Sequence, residues 1–414
     1  MINKPEILSP AGNFEKMRFA IHYGADAVYL AGKTFGMRTA SDNFDDNELV
    51  SAIAYAHERG VKVYVTVNIM PRPDEEKLLP AYLSFLNESS PDALIVSDIG
   101  VFSLARRFAP DIDIHISTQA NTVNAASCRM WHSLGAKRIV LARELSFPEI
   151  KMIKENIPED LELEAFVHGS MCISYSGRCL LSNFYTGRDA NRGMCAQPCR
   201  WEYMEGAKYA EVFERKRPEE RLSVIENESG TYLFSSKDLC MIEHIPELVE
   251  SGINSLKIEG RVKSAYYAAV TANAYQKELK AYLSDRTQYQ FNPESLRELQ
   301  SVSHRTYGTG FFYDNPIQKA QVTDDGGYIR DKAFLASVVD YDETTNRAIL
   351  FQRNKMCIGD QVELVSPGMQ SRPFVITDMK DTEGNPIDCA PHPKMLFSIN
   401  TPFPVKEWDI VRGL

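Results

Sequence analysis

Apolar and polar positions along this chain change rhythm twice. Up to about residue 285, short runs rich in Val, Ile and Leu alternate with amphipathic stretches such as NELVSAIAYAHERG and TVNAASCRMWHSLG. The runs fall at 6–8, 27–30, 62–67, 93–96, 114–117, 138–141, 163–167 and 255–258. Most lack strict alternation, the pattern of parallel strands buried on both faces. Several helix-to-strand turns share one signature: YGADAVYL, RGVKVYV, LGAKRIVL and SGINSLKI. In each, a glycine ends the helix where a left-handed backbone costs little. Eight strands with helical crossovers predict an α/β fold, a (β/α)8 TIM-barrel-like domain over 1–285, with an open doubly wound sheet as the other arrangement. Beyond it, FLASVVDYDETTNRAILFQ and DQVELVSP sit between turn-rich sequence. They predict a small all-β C-terminal domain at 333–414. The intervening 286–332, with SHRTYGTGFFYDNP, reads as a connector packed on the barrel.

The second change of rhythm lies inside the barrel pattern. About 85 residues separate the seventh run from the last, far more than a crossover requires. The excess forms an insertion at 170–232, which opens with SMCISYSGRCLLSNFYTGRDANRGMCAQPCRWEY and includes a polar stretch at 211–230. Of eight cysteines, Cys172, Cys179, Cys195 and Cys199 fall within 28 residues and Cys240 follows in SSKDLC, while Cys128, Cys357 and Cys389 are scattered.

Composition narrows the classes. With 414 residues, 44% hydrophobic and 25% charged, a sizeable core is available and global disorder is excluded. No apolar run reaches the ~18–20 residues of a membrane span. The start MINKPEILSPAG lacks the basic and apolar regions of a signal peptide. The expectation is therefore a cytoplasmic protein that does not engage a membrane. In that compartment clustered cysteines point to metal or redox chemistry rather than a disulfide framework. The spacing C-x6-C-x15-C-x3-C leaves three readings open: an iron–sulfur cluster, structural zinc, or unligated thiols. A net charge of −10 gives no global field for nucleic acid, so RNA contact needs a local basic patch.

Polar residues at strand ends are the next candidates: Glu6, Asn68, Asp98, His115, Ser117, Gln119, Glu144, His168, and Lys257, Glu259 and Arg261 in LKIEGR. Each taken alone reads equally as a helix cap or a satisfied buried group, but together they suggest a lined pocket. His168, Glu144 and Asp98 are the acid–base candidates, His168 standing four residues before Cys172. Alternation sends Lys257, Glu259 and Arg261 to one side, either as an ion-pair network or as a carboxylate-binding set with Gln119. Between Cys172 and Trp201, Arg178, Arg188, Arg192 and Arg200 face one acid, Asp189, and interleave with Tyr175, Phe184, Tyr185 and Trp201. Cations and aromatics in that mixture suit single-stranded RNA, and equally offset the charge of thiolates. No HExxH or GxSxG motif is present, although a Cys–His pair with Cys199 or Cys240 and His168 is open on sequence.

The run EAFVHGSMC ending at Cys172, with GRC at 177–179 and Ser182, resembles the defining motif of the U32 family of collagenase-like peptidases. PEILSPAGNFEKMRFAIHYGADAVYLAG, ANRGMCAQPCR, SSKDLC and LKIEGRVKSAYY extend the likeness along 1–285, and the C-terminal domain resembles that of longer members. The resemblance implies a tRNA-modifying protein of the type that supports hydroxylation of wobble uridine to 5-hydroxyuridine. It also implies a [4Fe–4S] cluster held by Cys172, Cys179 and Cys195 with Cys240, or Cys199 in its place, and prephenate as a possible co-substrate. The implied partners are the tRNA anticodon region and a homologous U32 chain. Arg178 and Arg192 join Gln119, Lys257, Glu259 and Arg261 as substrate contacts. A U32-type peptidase, and a cluster-bearing partner subunit of a hydroxylase, are the alternatives.

Overall fold

The computed structural model describes residues 4–37, 42–201, 236–313 and 328–414, with the backbone of four short strands between 211 and 232. Side chains of the polar stretch 211–230, and that of Arg200, lie outside the described residues.

Eight parallel strands close into a barrel. They are β1 (Glu6–Pro10), β2 (Ala27–Leu30), β3 (Lys62–Val67), β4 (Ala93–Val96), β5 (Asp113–Ile116), β6 (Arg138–Val140), β7 (Glu162–Ser170) and β8 (Ser255–Ile258). Each pairs with the next, and β8 pairs in parallel with both β7 and β1, which closes the ring. Closure excludes the open doubly wound sheet. It leaves no unpaired edge to manage and sets eight loops around one mouth.

The outward strand positions, including Ile7, Val28, Val65, Ile114, Ile139, Leu163 and Leu256, belong to the large apolar core shared with the helices. The barrel interior differs. Leu8, Ala27, Tyr29, Tyr64, Ala93 and Ile95 form a small separate cluster. The rest of the interior is charged. Arg138 bonds Glu6, meets Glu162 at 2.6 Å and meets Glu164 at 3.2 Å. Glu164 takes a further bond of 2.6 Å from Lys257, and the Tyr64 hydroxyl donates to Glu6 at 2.9 Å. Residues from β1, β3, β6, β7 and β8 meet only if all point inward. The alanines at 27 and 93 leave room for them. Continuous apolar runs therefore describe the outer layer of these strands, not the inner one.

β7 is nine residues long and outlasts the barrel. Its second half pairs antiparallel with the strand Asp238–Cys240, which also carries the two-residue strand Tyr307–Gly308. Within the insertion, Glu211–Glu214 pairs antiparallel with Arg217–Ser223, and Ile225–Asn227 with Gly230–Tyr232. The long helix Ala265–Ser284 is buried along most of its length, because the first helix, Phe14–His22, packs on one side and the C-terminal domain on another.

That domain is a seven-stranded antiparallel sheet running from Phe334 to Gly413. It docks through Arg412, which is buried and reaches Glu298 at 2.7 and 2.8 Å, Glu363 at 2.7 Å and the Tyr266 hydroxyl at 3.1 Å. Cys357 and Cys389, opposite one another in a two-stranded ladder, form a disulfide. Two of the scattered cysteines are therefore paired, because strands 32 residues apart bring them together.

Candidate active site at the barrel mouth

The mouth, at the C-terminal ends of the strands, is roofed by residues 171–201. Five contacts hold this segment down. Arg178 Nε donates to Asn121 at 2.8 Å, and Asn121 Nδ2 donates to the Ser176 carbonyl at 3.4 Å. The Met70 amide donates to the Asn191 carbonyl at 3.1 Å, Arg192 meets Glu75 at 2.7 Å, and Arg72 meets Asp189 at 3.2 Å. At Gly193, with φ +82°, an added Cβ would lie 2.8 Å from the Gly36 carbonyl, so only glycine permits this approach to the β2 loop.

Beneath the roof is a cavity of about 120 Å³. Its wall brings together Cys172, Cys179 and Cys195 from the roof, Asn68, Ser117 and Gln119 from β3 and β5, Arg143 after β6, Phe166 on β7, and Lys257, Glu259 and Arg261 at the end of β8. Lys257 is buried, held by Glu164 and seated 4.6 Å from the centre of the Tyr29 ring. Burial alone would push the Glu164 carboxyl up, but Lys257 and Arg138 outweigh it and hold the pKa below the ordinary value. Arg143 stands 3.6 Å from Glu259 and 3.9 Å over the Phe166 ring. Three cations against one carboxylate make the wall net positive.

Cys172 is exposed, whereas Cys179, Cys195 and Cys199 are half-buried. The Gln197 amide donates to Cys195 Sγ at 3.4 Å and the Ala196 amide to Ser182 Oγ at 2.9 Å, which tightens the CAQPC turn. Among the described residues, no three His, Cys, Asp or Glu side chains stand together as a metal site. Cys172, Cys179 and Cys195 share one cavity wall without converging to ligand spacing. Cys240 lies elsewhere. It sits opposite His168 across the antiparallel ladder, is buried, and has its thiol pushed up to about 12 by desolvation.

The acid–base candidates separate. His168 does not line the mouth. Alternation along β7 would point it inward after Phe166, but a bulge opposite Lys257 and Ile258 inserts Val167 and reverses the phase. The imidazole is buried against the rings of Tyr267, Tyr275 and Tyr307, and burial pulls its pKa down to about 3. Asp98 caps the helix Ile99–Phe108, accepting from the amides of Gly100 at 2.8 Å and Val101 at 3.0 Å. Its carboxylate is committed to orphan helix amides rather than to the mouth. Glu6 lies at the opposite end of the barrel, and His115 is fully enclosed, 4.8 Å from the Tyr64 ring. Glu144 lines a neighbouring outer cavity, where burial raises its pKa.

Of the insertion arginines, Arg178 and Arg192 are occupied in docking the roof, and Arg188 is exposed. Phe184, 80% exposed, Tyr185 and Trp201 form a ladder of rings 5.1 and 5.9 Å apart on the outer surface. Another cavity, of about 1100 Å³, opens at the N-terminal end of the barrel between Glu6, Lys62, Arg138 and Trp408. It is much larger, yet no cysteine reaches it, and barrel chemistry belongs at the other face. Sequence reasoning missed Arg143, Tyr29, Phe166 and the Arg138–Glu164 pair. Arg143, just past β6 in LARELS, carried a readable signal, and so did the charges inside β6 and β7.

Gly169 shapes the join between β7 and β8. Its φ is +104°, and a Cβ there would fall 2.4 Å from the Glu259 carbonyl oxygen. The HGS sequence therefore allows the two strand ends to touch.

A closed β/α barrel, a cysteine-bearing roof segment after the seventh strand and an antiparallel β domain at the C-terminus together define the class of protein. The chain belongs to peptidase family U32: that family matches residues 12–322, and the family's C-terminal domain matches 330–412. It is 39% identical over 394 residues to tRNA hydroxylation protein P1 of Bacillus subtilis, covering 94% of this chain and 90% of that one. It is 37% identical over 420 residues to tRNA hydroxylation protein P of Escherichia coli, with 94% and 92% covered. A third relative, the Escherichia coli 23S rRNA 5-hydroxycytidine C2501 synthase, is 35% identical over 282 residues, covering 68% of this chain and 40% of that one. Among the described residues no helix is long and apolar enough to cross a membrane.

Proposed function

We propose that this protein supports hydroxylation of a pyrimidine in RNA, in the form of wobble uridine to 5-hydroxyuridine in the tRNA anticodon, using a [4Fe–4S] cluster at the barrel mouth. The observation that carries the reading is the mouth cavity, which gathers three cysteines and a net-positive floor under one roof. The printed names of the relatives, which concern hydroxylation of tRNA and of rRNA, support it. The donor set suits the cluster, since thiolates are its ordinary ligands. Cys172, Cys179 and Cys195 would hold it once the roof draws them together. Cys199 and Cys240 compete for the fourth position, Cys199 by its closeness in sequence to Cys195 and Cys240 only after leaving its buried place. When bound, such a cluster supplies one-electron transfer.

The chain's own residues bind and position. Lys257, anchored by Glu164, presents a fixed ammonium to the cavity, with Arg143 and Arg261 beside it, a set complementary to a carboxylate metabolite. Prephenate suits this charge pattern but not a space of about 120 Å³, so its entry requires the roof to lift. The peptidase alternative in its Cys240–His168 form fares worse chemically. Thiol attack needs a thiolate beside a basic imidazole, whereas Cys240 and His168 are both buried, the first shifted up and the second down.

Mass spectrometry of tRNA nucleosides tests the reading. Deletion of the gene is expected to remove 5-hydroxyuridine, the full chain to restore it, and Cys172→Ala to fail. Anaerobically purified protein is expected to hold iron and sulfide, about four of each per chain, and Cys172→Ala to lose them. Unchanged 5-hydroxyuridine after deletion, or stoichiometric zinc without iron, would overturn it. Parallel Cys199→Ala and Cys240→Ala proteins identify the fourth ligand by which one loses iron.

A further inference from the structure

A second cavity backs directly onto the mouth. It measures about 560 Å³ and is walled by Tyr175, Phe311, Tyr313, Glu144 and Ser174. Cys172 and Tyr175 line both cavities, so these two residues form the partition between them. We infer that this outer cavity receives one pyrimidine nucleotide extruded from an RNA strand and presents it to the Cys172 partition. The inference rests on the RNA reading above and adds to it where the base goes.

Size decides between the two spaces. Sites for small molecules occupy about 300–1,000 Å³. The outer cavity lies within that range, and the mouth, at about 120 Å³, falls well below it. The mouth therefore suits the cluster side of the reaction and the outer space the base.

The walls fit the occupant. Enzymes that act on a base take it out of the stack, hold it between aromatic or apolar side chains and read its edge by hydrogen bonds. Tyr313 is half-exposed but fixed. Its hydroxyl lies 2.6 Å from His244 Nδ1 and 2.9 Å from Glu247, and its ring packs 5.3 Å from Phe147. Tyr175, 47% exposed, faces the cavity from the roof, so the two tyrosines belong to separately anchored parts of the fold. Glu144 adds a half-buried carboxyl group to the wall, whose oxygens can accept from a donor on a pyrimidine's pairing edge.

The test is binding of two synthetic RNA stem-loops to the full chain by fluorescence anisotropy. One carries a single loop uridine at the target position and the other an abasic site there. Wild-type protein is expected to bind the uridine RNA about tenfold more tightly, the scale of one base stacked on an aromatic ring. Tyr175→Ala should lose most of that difference while leaving the abasic RNA unchanged. As a second measurement, 4-thiouridine at that position should photo-crosslink to peptides containing Tyr175 or Tyr313. Equal affinity for the two RNAs, an equal loss on both in Tyr175→Ala, or crosslinks confined to other peptides would overturn the cavity assignment while the RNA reading stands. Failure of both RNAs to bind would overturn the RNA reading itself, and the assignment with it.

Discussion

Removing the Glu164 carboxylate is expected to destabilise the barrel far more than its place away from any apolar cluster suggests. Glu164 is fully buried and compensates two cations, Lys257 at 2.6 Å and Arg138 at 3.2 Å. Arg138 keeps Glu6 and Glu162, but among the described residues Lys257 forms its ion pair with Glu164 alone. Glu164→Leu therefore strands an ammonium in the interior. Breaking a buried pair from one side costs about 3–5 kcal/mol, while replacing both partners by apolar groups is often neutral. The double variant Glu164→Leu/Lys257→Met should return to within about 1 kcal/mol of the parent. Lys257→Met alone should cost little, because Glu164 keeps Arg138, so the coupling energy is about 3 kcal/mol, at the upper end of the usual range. The exposed pair Asp74–Lys77 supplies the control, and its loss should cost less than about 1 kcal/mol. Urea unfolding by circular dichroism reads each midpoint, compared only between variants with the same slope. A single substitution costing under about 1 kcal/mol, or a double equal to the sum of its singles, would refute the reasoning. The pH sign follows from the same contacts. Because the folded pKa of Glu164 is depressed, its contribution is present above the unfolded value of about 4.3 and is lost as pH falls through the folded one.

Four further outcomes are expected. His168 is neutral in the folded protein down to about pH 3 but titrates near 6.5 when unfolded; stability should fall as pH drops through that window, and less steeply in His168→Gln, as denaturation midpoints at pH 7 and pH 5 will show. Iodoacetamide should label exposed Cys172 in native protein well before Cys128 and Cys240, whose thiols burial pushes up to about 11 and about 12; peptide mass spectrometry gives the order, and first labelling at Cys240 would contradict its placement. Unreduced, denatured protein should titrate six thiols, with Cys357 and Cys389 paired. Gly169→Ala should disrupt the join of β7 and β8 and cost more than about 1 kcal/mol, since both the positive φ and the Glu259 carbonyl oppose a methyl group there; a thermal midpoint equal to wild type would exclude that contact.

The strands were the most legible feature. The runs at 27–30, 62–67, 93–96 and 255–258 coincide with β2, β3, β4 and β8, because a strand packed under helices needs a local apolar stretch and little else. Local signals also carried the glycines at helix ends, where Gly24, Gly60, Gly135 and Gly252 take positive φ. The mouth was partly legible: Gln119, Lys257, Glu259 and Arg261 line it with Cys172, Cys179 and Cys195.

What the linear chain determined, then, was the count and order of the eight barrel strands, the insertion after the seventh of them and the chemical types gathered there. Each of these is written in contiguous residues. Only the tertiary structure decided which of those residues meet. A bulge of one residue turns His168 from the mouth to the helix side, and strand pairing places Cys240 behind β7 although it is near the cluster in sequence. Arg138, Glu164 and Lys257 become one network because barrel closure brings β6, β7 and β8 around a shared axis. Two cavities share Cys172 and Tyr175 because the roof is pinned to loops more than fifty residues away in the chain. Such long-range juxtapositions depend on closure and register, which no local stretch of sequence encodes by itself.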